Sequence, residues 1–238
     1  MRLEGPKILF QIPLFGGINV TETVVTQFGI VVVVAILSLI LTHKLEKIPR
    51  KKTQIIAEKL VMIIDNLTVD TMGKSCAGFA PYMMALFASS ILGSLCSLIG
   101  FRSTTMDVNT PAAWALVTVF FIHYMGFKTS GFKAHMHSFI EPYPFPFLII
   151  NLISEVATPV SMTLRHFGNI IAGSIIMTLL YSALGNLSAA IGSAIPFMQI
   201  GLPAVLSLYF DLFGGVLQAF IFMMLTMVFI GNNAPQDE

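Results

Sequence analysis

The chain has 238 residues, of which 55% are hydrophobic and only 11% charged, and its mean hydropathy is +0.84. A soluble domain typically carries about 25% charged residues, so too little polar surface exists to coat a water-soluble globule, and lipid is the natural solvent. The formal net charge of +1 gives no electrostatic basis for nucleic-acid binding.

Residues 1–20 mix Glu4, Lys7, Gln11 and Pro13 with short apolar pieces. They lack the basic region and clean apolar core of a cleavable signal, so the first span is expected to be retained. Residues 24–42 form a nearly uninterrupted apolar run and predict span 1, followed by the basic cluster Lys44, Lys47, Arg50, Lys51 and Lys52. In residues 54–72, Ile55, Ile56, Leu60, Ile63, Ile64 and Leu67 recur near helical spacing, interleaved with Glu58, Lys59, Asp65 and Asp70. That is too polar to span and predicts an amphipathic helix lying in the interface. Residues 77–101 predict span 2, and residues 112–127 a short span 3 after a polar, turn-rich connection. Residues 128–146 read as a loop, with Pro142, Pro144 and Pro146 opposing regular helix.

Residues 147–184 are mainly apolar. A straight helix of that length reaches roughly 57 Å, more than a hydrocarbon core of about 30 Å. It must be strongly tilted, kinked near Pro159, or partly outside the membrane. Small residues in 185–199 connect it to a last helix, residues 202–230, which ends in a polar tail. The expected fold is therefore an all-α integral membrane protein, a single membrane domain of five crossing helices plus one interfacial helix.

Orientation follows from the lysines and arginines. If the loop after span 1 is cytoplasmic, Lys44, Lys47, Arg50, Lys51, Lys52, Lys59, Lys74, Lys128 and Lys133 lie inside. Only Arg2, Lys7 and Arg102 then lie outside. The N-terminus is expected outside and the C-terminus inside.

One cation, Arg165, falls within the predicted long helix. Arg165 sits among apolar residues, where a charged side chain costs about 2.5–3.5 kcal/mol on insertion scales. A guanidinium cannot escape by losing its proton. Arg165 therefore needs an anion, a water-filled cavity or both, unless helix carbonyls or an interface satisfy it. Asn169 and Gly173 follow at successive turns, flanked by Gly168 and Ala172. Small residues at this spacing admit a close helix, from this chain or from a partner bringing the anion.

Asp211 and Gln218 are seven residues apart on the last helix, about two turns, which puts them on one face. They read as part of an ion path, or Asp211 as a carboxylate in contact with headgroup water. Glu155, one turn after Asn151, either lines an aqueous entry or solvates the end of its helix. His135 and His137 form an H-x-H with no third ligand at usable spacing, while His123 and His166 stand alone. Cys76 and Cys96 form no CxxC, and no phosphate-cradling glycine loop is present, so neither a metal nor a cofactor is expected.

Leu164-Arg-His-Phe-Gly-Asn169, followed by Ala172-Gly173, resembles the signature helix of subunit a of F-type ATP synthases. Residues 218–229 resemble that family's last helix, and residues 138–142 and 107–110 are weaker matches. The resemblance implies a non-catalytic stator channel of a bacterial cell membrane. Its partners would be a ring of c subunits, each with a membrane-embedded carboxylate, and a b-type peripheral stalk. Two offset half-channels would carry H⁺, or Na⁺, to and from the ring. Arg165 would match the essential arginine, and Asn169 and Gln218 the polar positions beside it. The chain departs from the family at Ser174, where many members carry glutamate, and at Asp211, where many carry histidine. Asp211, Ser174 and Glu155 are thereby the expected relay residues. The competing reading is a stand-alone secondary transporter binding an anionic substrate at Arg165. An intramembrane enzyme lacks a nucleophile or metal constellation. The absence of an internal repeat weighs against a transporter.

Overall fold

The computed structural model describes residues 7–13, 18–43, 45–46, 51–138, 146–190, 199 and 201–235. Arg2, Lys44, Lys47, Arg50, Glu141, Pro142 and Pro144 lie outside them, as do residues 191–198 of the predicted connection. Five helices are long and apolar enough to cross a membrane: Glu22–Thr42, Lys74–Ile99, Asn109–Ser130, Ile149–Ala190 and Val205–Gly231. The protein is all-α in its membrane part. A small antiparallel hairpin, β1 (Ile8–Ile12) with β2 (Ile18–Thr21), precedes it and was not anticipated from sequence.

Helix α1 (Glu22–Thr42) contains four consecutive valines, Val31 to Val34. β-branched residues favour strands in water, but lipid offers no partner for a bare backbone, and helix is the self-satisfied solution. Helix α2 (Lys52–Met72) is the expected amphipathic element. Gln54, Ile64, Thr68 and Met72 are the buried positions, whereas Ile55, Ile56, Leu60 and Ile63 remain exposed beside Glu58 and Lys59. Gln54 is buried because its amide donates to the Glu46 carbonyl (2.7 Å) and to Glu58 Oε1 (2.7 Å). The apolar row therefore divides: Ile64 and Leu67 pack into the core, and the others face away from it.

A 3₁₀ turn, Lys74–Phe79, leads into α3 (Ala80–Leu95), whose first turn holds Pro81 where no N–H is needed. Gly100, with φ 89°, ends the segment in a left-handed conformation open to glycine. Helix α4 (Asn109–Ser130) is three residues longer at each end than span 3 as read from sequence. Polar flanks can be helical outside the hydrocarbon, so hydropathy alone truncates the element. The loop expected over 128–146 likewise contains helix α5 (Phe132–Ser138).

Helix α6 (Pro146–Ala190) has 45 residues, about 68 Å at the usual rise, and runs unbroken through Pro159. It is longer than expected because the small residues after Leu184 continue the helix. The last element is not one regular helix. Helix α7 (Leu202–Leu208) passes through a π-helical turn, Tyr209–Gly214, into α8 (Gly215–Gly231). Within that turn the backbone bonds i to i+5, so a seven-residue spacing no longer equals two α turns.

The core lies between α3 and α8, with α2 and α4 closing it. Met83, Met223, Met227 and Ile230 are essentially inaccessible, and unbranched methionine fills the irregular gaps. Close approach depends on small residues. A Cβ added to Gly215 would come 2.7 Å from Ser94 Cβ, and one added to Gly231 3.1 Å from Met72 Cα. Two buried threonines are satisfied within their own helices: Thr226 donates to the Phe222 carbonyl (2.9 Å) and Thr118 to that of Trp114 (3.0 Å).

Candidate functional site: an exposed arginine between two polar cavities

Arg165 lies on α6, and its side chain is exposed on the surface of the single chain. No described residue forms an ion pair or hydrogen bond with it. Leu164, Arg165, Asn169, Ala172, Ile176 and Leu179 share the exposed side of α6. Val205, Leu208, Leu212, Val216 and Phe220 form a matching exposed apolar row along α7, the π turn and α8.

The small-residue stripe divides. A Cβ at Gly173 would meet Phe210 at 4.0 Å, and one at Gly214 would meet Asn169 Nδ2 at 3.4 Å, so part of the stripe seats the π turn. A Cβ at Gly168 meets nothing within 4 Å, leaving that position open beside Arg165. The stripe thus serves both packing within the chain and an unfilled face.

Behind Arg165 the opposite side of α6 is locked into the core. His166 is 1% exposed, stacks edge-on against Trp114 (5.8 Å, 88°) and Phe222 (5.6 Å, 86°), and lies 3.5 Å from Ser90 Oγ. His166 is therefore not isolated. A buried aromatic ring immediately after Arg165 fixes the rotation of α6 and so directs the arginine outward.

Two groups of polar cavities reach α6 from opposite ends. At the end bearing the α3–α4 connection, a cavity of about 330 Å³ is lined by Ser94, Ser97, Ser103, Ser174, Thr178, Ser182 and Ser207, with Ile170 and Gly173 at its base. Several of these hydroxyls donate to backbone: Ser97 to Ser94 (2.9 Å), Ser103 to Gly93 (3.0 Å), Thr178 to Ser174 (2.8 Å), Ser182 to Thr178 (3.0 Å). Their hydrogens are committed, so their oxygens remain as acceptors, a lining that favours water and cations. Ser94 Oγ is buried without a hydrogen-bond partner. Ser174, expected as a relay residue, is in this set.

At the other end a cavity of about 260 Å³ is lined by Ile122, His123, His135, Asn151, Ser154, Glu155 and Asn233. Ser154 also lines a neighbouring cavity of about 290 Å³ that includes Thr158, Ser161 and Arg165. Glu155 therefore borders a cavity rather than merely ending a helix. Its Oε1 is 2.9 Å from His123 Nε2. His123, which stands alone in sequence, is joined to two other titratable groups by the fold. His135 and His137 separate: His135 is buried and His137 exposed. Burial lowers the His135 pKa from its ordinary 6.5; proximity to His123 adds to this and Glu155 opposes it.

Gln218 is buried on α8, and Asp211 lies in the π turn, its side chain outside the described set. The serine cavity was missed from sequence, although Ser174, Thr178 and Ser182 at four-residue spacing were its visible signal. The histidine cluster joins α4, α5 and α6 and left no local signal.

A family model described as ATP synthase A chain matches residues 24–231. The chain is 32% identical to "ATP synthase subunit a, sodium ion specific" of Propionigenium modestum, covering 99% of this chain and 87% of the relative. It is also 32% identical to ATP synthase subunit a of Bacillus subtilis, covering 94% and 96%, and 30% identical to ATP synthase subunit a 2 of a Bradyrhizobium species, covering 94% and 92%.

Proposed function

The chain belongs to the ATP synthase A chain family, and we propose that it is the stator ion channel of a bacterial F-type ATP synthase, non-catalytic itself, passing protons through two offset half-channels to a ring of carboxylate-bearing c subunits. One observation carries this reading: polar cavities approach α6 from opposite ends and share no lining residue, with Arg165 in one and Ile170 at the base of the other. Five residues of helix separate those positions, about 7.5 Å. On this reading an ion crossing from one cavity to the other passes Arg165.

The open side of α6 supports the partner. Its apolar residues fit a lipid-embedded helical neighbour, and the guanidinium, paired with no described side chain, fits that neighbour's carboxylate. Opposite charges 4 Å apart at an effective dielectric of ~20 attract by about 4 kcal/mol. One charge crossing 100 mV gains about 2.3 kcal/mol. The contact is comparable to the drive, so it forms and breaks at each step. The arginine holds the arriving carboxylate ionised, which releases its proton, and its permanent charge blocks leakage between the cavities.

The excess of lysine and arginine places the α5 end in the cytoplasm and the N-terminus outside. The serine cavity is then the outer half-channel, with Ser174 and Asp211 on its route, and the Glu155 cavity the inner one. Asn169 and Gln218 tune the arginine's surroundings, and a b-type stalk holds the subunit against the turning ring. A second ion is favoured by one specific observation. Acceptor oxygens line the outer cavity, as hard cations require, and the Propionigenium modestum relative is sodium specific.

The test is Arg165→Ala in the complete, reconstituted ATP synthase. ATP-driven ion uptake should be lost while ATP hydrolysis by the catalytic sector persists. Normal coupled uptake would sink the proposal.

A further inference from the structure

We propose that His123 and His135 form a proton relay at the inner mouth, handing protons between Glu155 and cytoplasmic water. The inference rests on the stator reading and assigns residues that the family resemblance does not. Three elements converge here: α4 contributes His123, α5 contributes His135, and α6 contributes Glu155. His123 Nε2 lies 2.9 Å from Glu155 Oε1, and His123 Nδ1 lies 3.3 Å from His135 Nε2. Both nitrogens of one ring are thus engaged, one toward the carboxylate and one toward the second imidazole. That is the geometry of a through-ring relay, because a neutral imidazole accepts at one nitrogen while it donates at the other.

The arrangement is built rather than incidental. The His135 ring occupies the space where a Cβ of residue 126 would sit, so Gly126 is what lets α5 press the ring onto α4. Phe127 closes edge-on over it at 4.9 Å. The titratable groups facing His135 are His123 and Glu155; Lys128, Lys133 and His137 on the adjoining elements are exposed to the outside. The adjoining cavity of about 260 Å³ has room for several waters at ~30 Å³ each. Ser154 lines both this cavity and the cavity of Arg165.

For a proton leaving toward the cytoplasm, the O–H on Glu155 Oε1 breaks as an N–H forms on His123 Nε2. The His123 Nδ1 proton passes to His135 Nε2, and His135 releases its other ring proton to water. Both rings then return to their first tautomers by exchange with cavity water. One proton enters, one leaves, and no co-reactant is consumed. Import runs the same steps backward. With its pKa lowered, His135 is neutral at cytoplasmic pH and so available as an acceptor.

The experiment uses the complete ATP synthase in vesicles, with His123→Gln and His135→Gln. A glutamine amide still donates to Glu155 or fills the ring's place but cannot pass a proton through itself. Proton uptake driven by ATP should fall about tenfold in His123→Gln, less than the usual 10²–10⁴-fold for a positioned acid–base group because cavity water offers a bypass. Imidazole added on the ATP side should restore uptake in both variants, relative to the same addition to the unaltered complex. Unchanged uptake in His123→Gln, or a loss that imidazole leaves untouched in both variants, overturns the relay. If His123→Gln does not assemble, His135→Gln decides on the same criteria. The Arg165→Ala complex separates the two levels: loss there with normal uptake in the histidine variants removes only the relay, whereas normal uptake there removes the stator reading itself.

Discussion

Arg165 is a cation that does not shed its proton, set in a helix long and apolar enough to cross a membrane, where no described side chain compensates it. Lysine in the same place would shed its proton and lose its hold on a carboxylate. The residue's place in a long apolar helix was readable from its neighbours in sequence, because apolar runs flank it on both sides. Its outward direction was not readable; that comes from His166, wedged between Trp114 and Phe222 on the opposite side. Asp211 belongs to the same scale. As the sole expected acid on the outer route, it should be needed for proton delivery: Asp211→Asn should slow ATP-driven uptake several-fold and alter its pH profile, an effect typical of losing one acid–base group. An unchanged rate and profile in vesicles would take Asp211 out of the path.

Among the elements, α5 carries the most direct consequence of its packing. It docks by burying a neutral histidine, and the His135 pKa is lowered, chiefly by burial. The undocked state therefore binds more protons below the ordinary value of 6.5. Docking is at full strength above that pH and weakens as pH falls through 6.5 toward the lower native value. Amide exchange in α5, corrected for intrinsic rates, should be faster at about pH 5.5 than at neutral pH, while the α3–α8 core should show no such change. The π turn is the other element that matters for function. It re-phases Asp211 against Gln218, which an α-helical reading of the seven-residue spacing places on one face. Backbone hydrogen-bond pattern, not side-chain sequence, marks that turn, so hydropathy passes over it.

On the scale of the whole molecule, the question is which ion moves. A hydroxyl-lined cavity without a described carboxylate suits a hydrated cation, while the His123–Glu155 pair suits a proton. Proton transport predicts ATP-driven acidification of vesicles that is indifferent to Na⁺ over a range from micromolar to about 100 mM; a sodium stator would instead require Na⁺ and take it up. Radiotracer uptake alongside a pH dye distinguishes them. The five apolar helices followed from the sequence alone, because long apolar runs have a single stable backbone conformation in lipid. The signature around Arg165 was likewise visible, since its residues are contiguous on one helix. Only the tertiary structure decided which faces of α6 and α8 stay open and that Ser94, Ser103 and Ser174 line one cavity. It also decided that His123, Glu155 and His135 meet. Those groupings join residues tens of positions apart on different helices, and helix rotation set by core packing, which no local pattern encodes, determines whether they face one another.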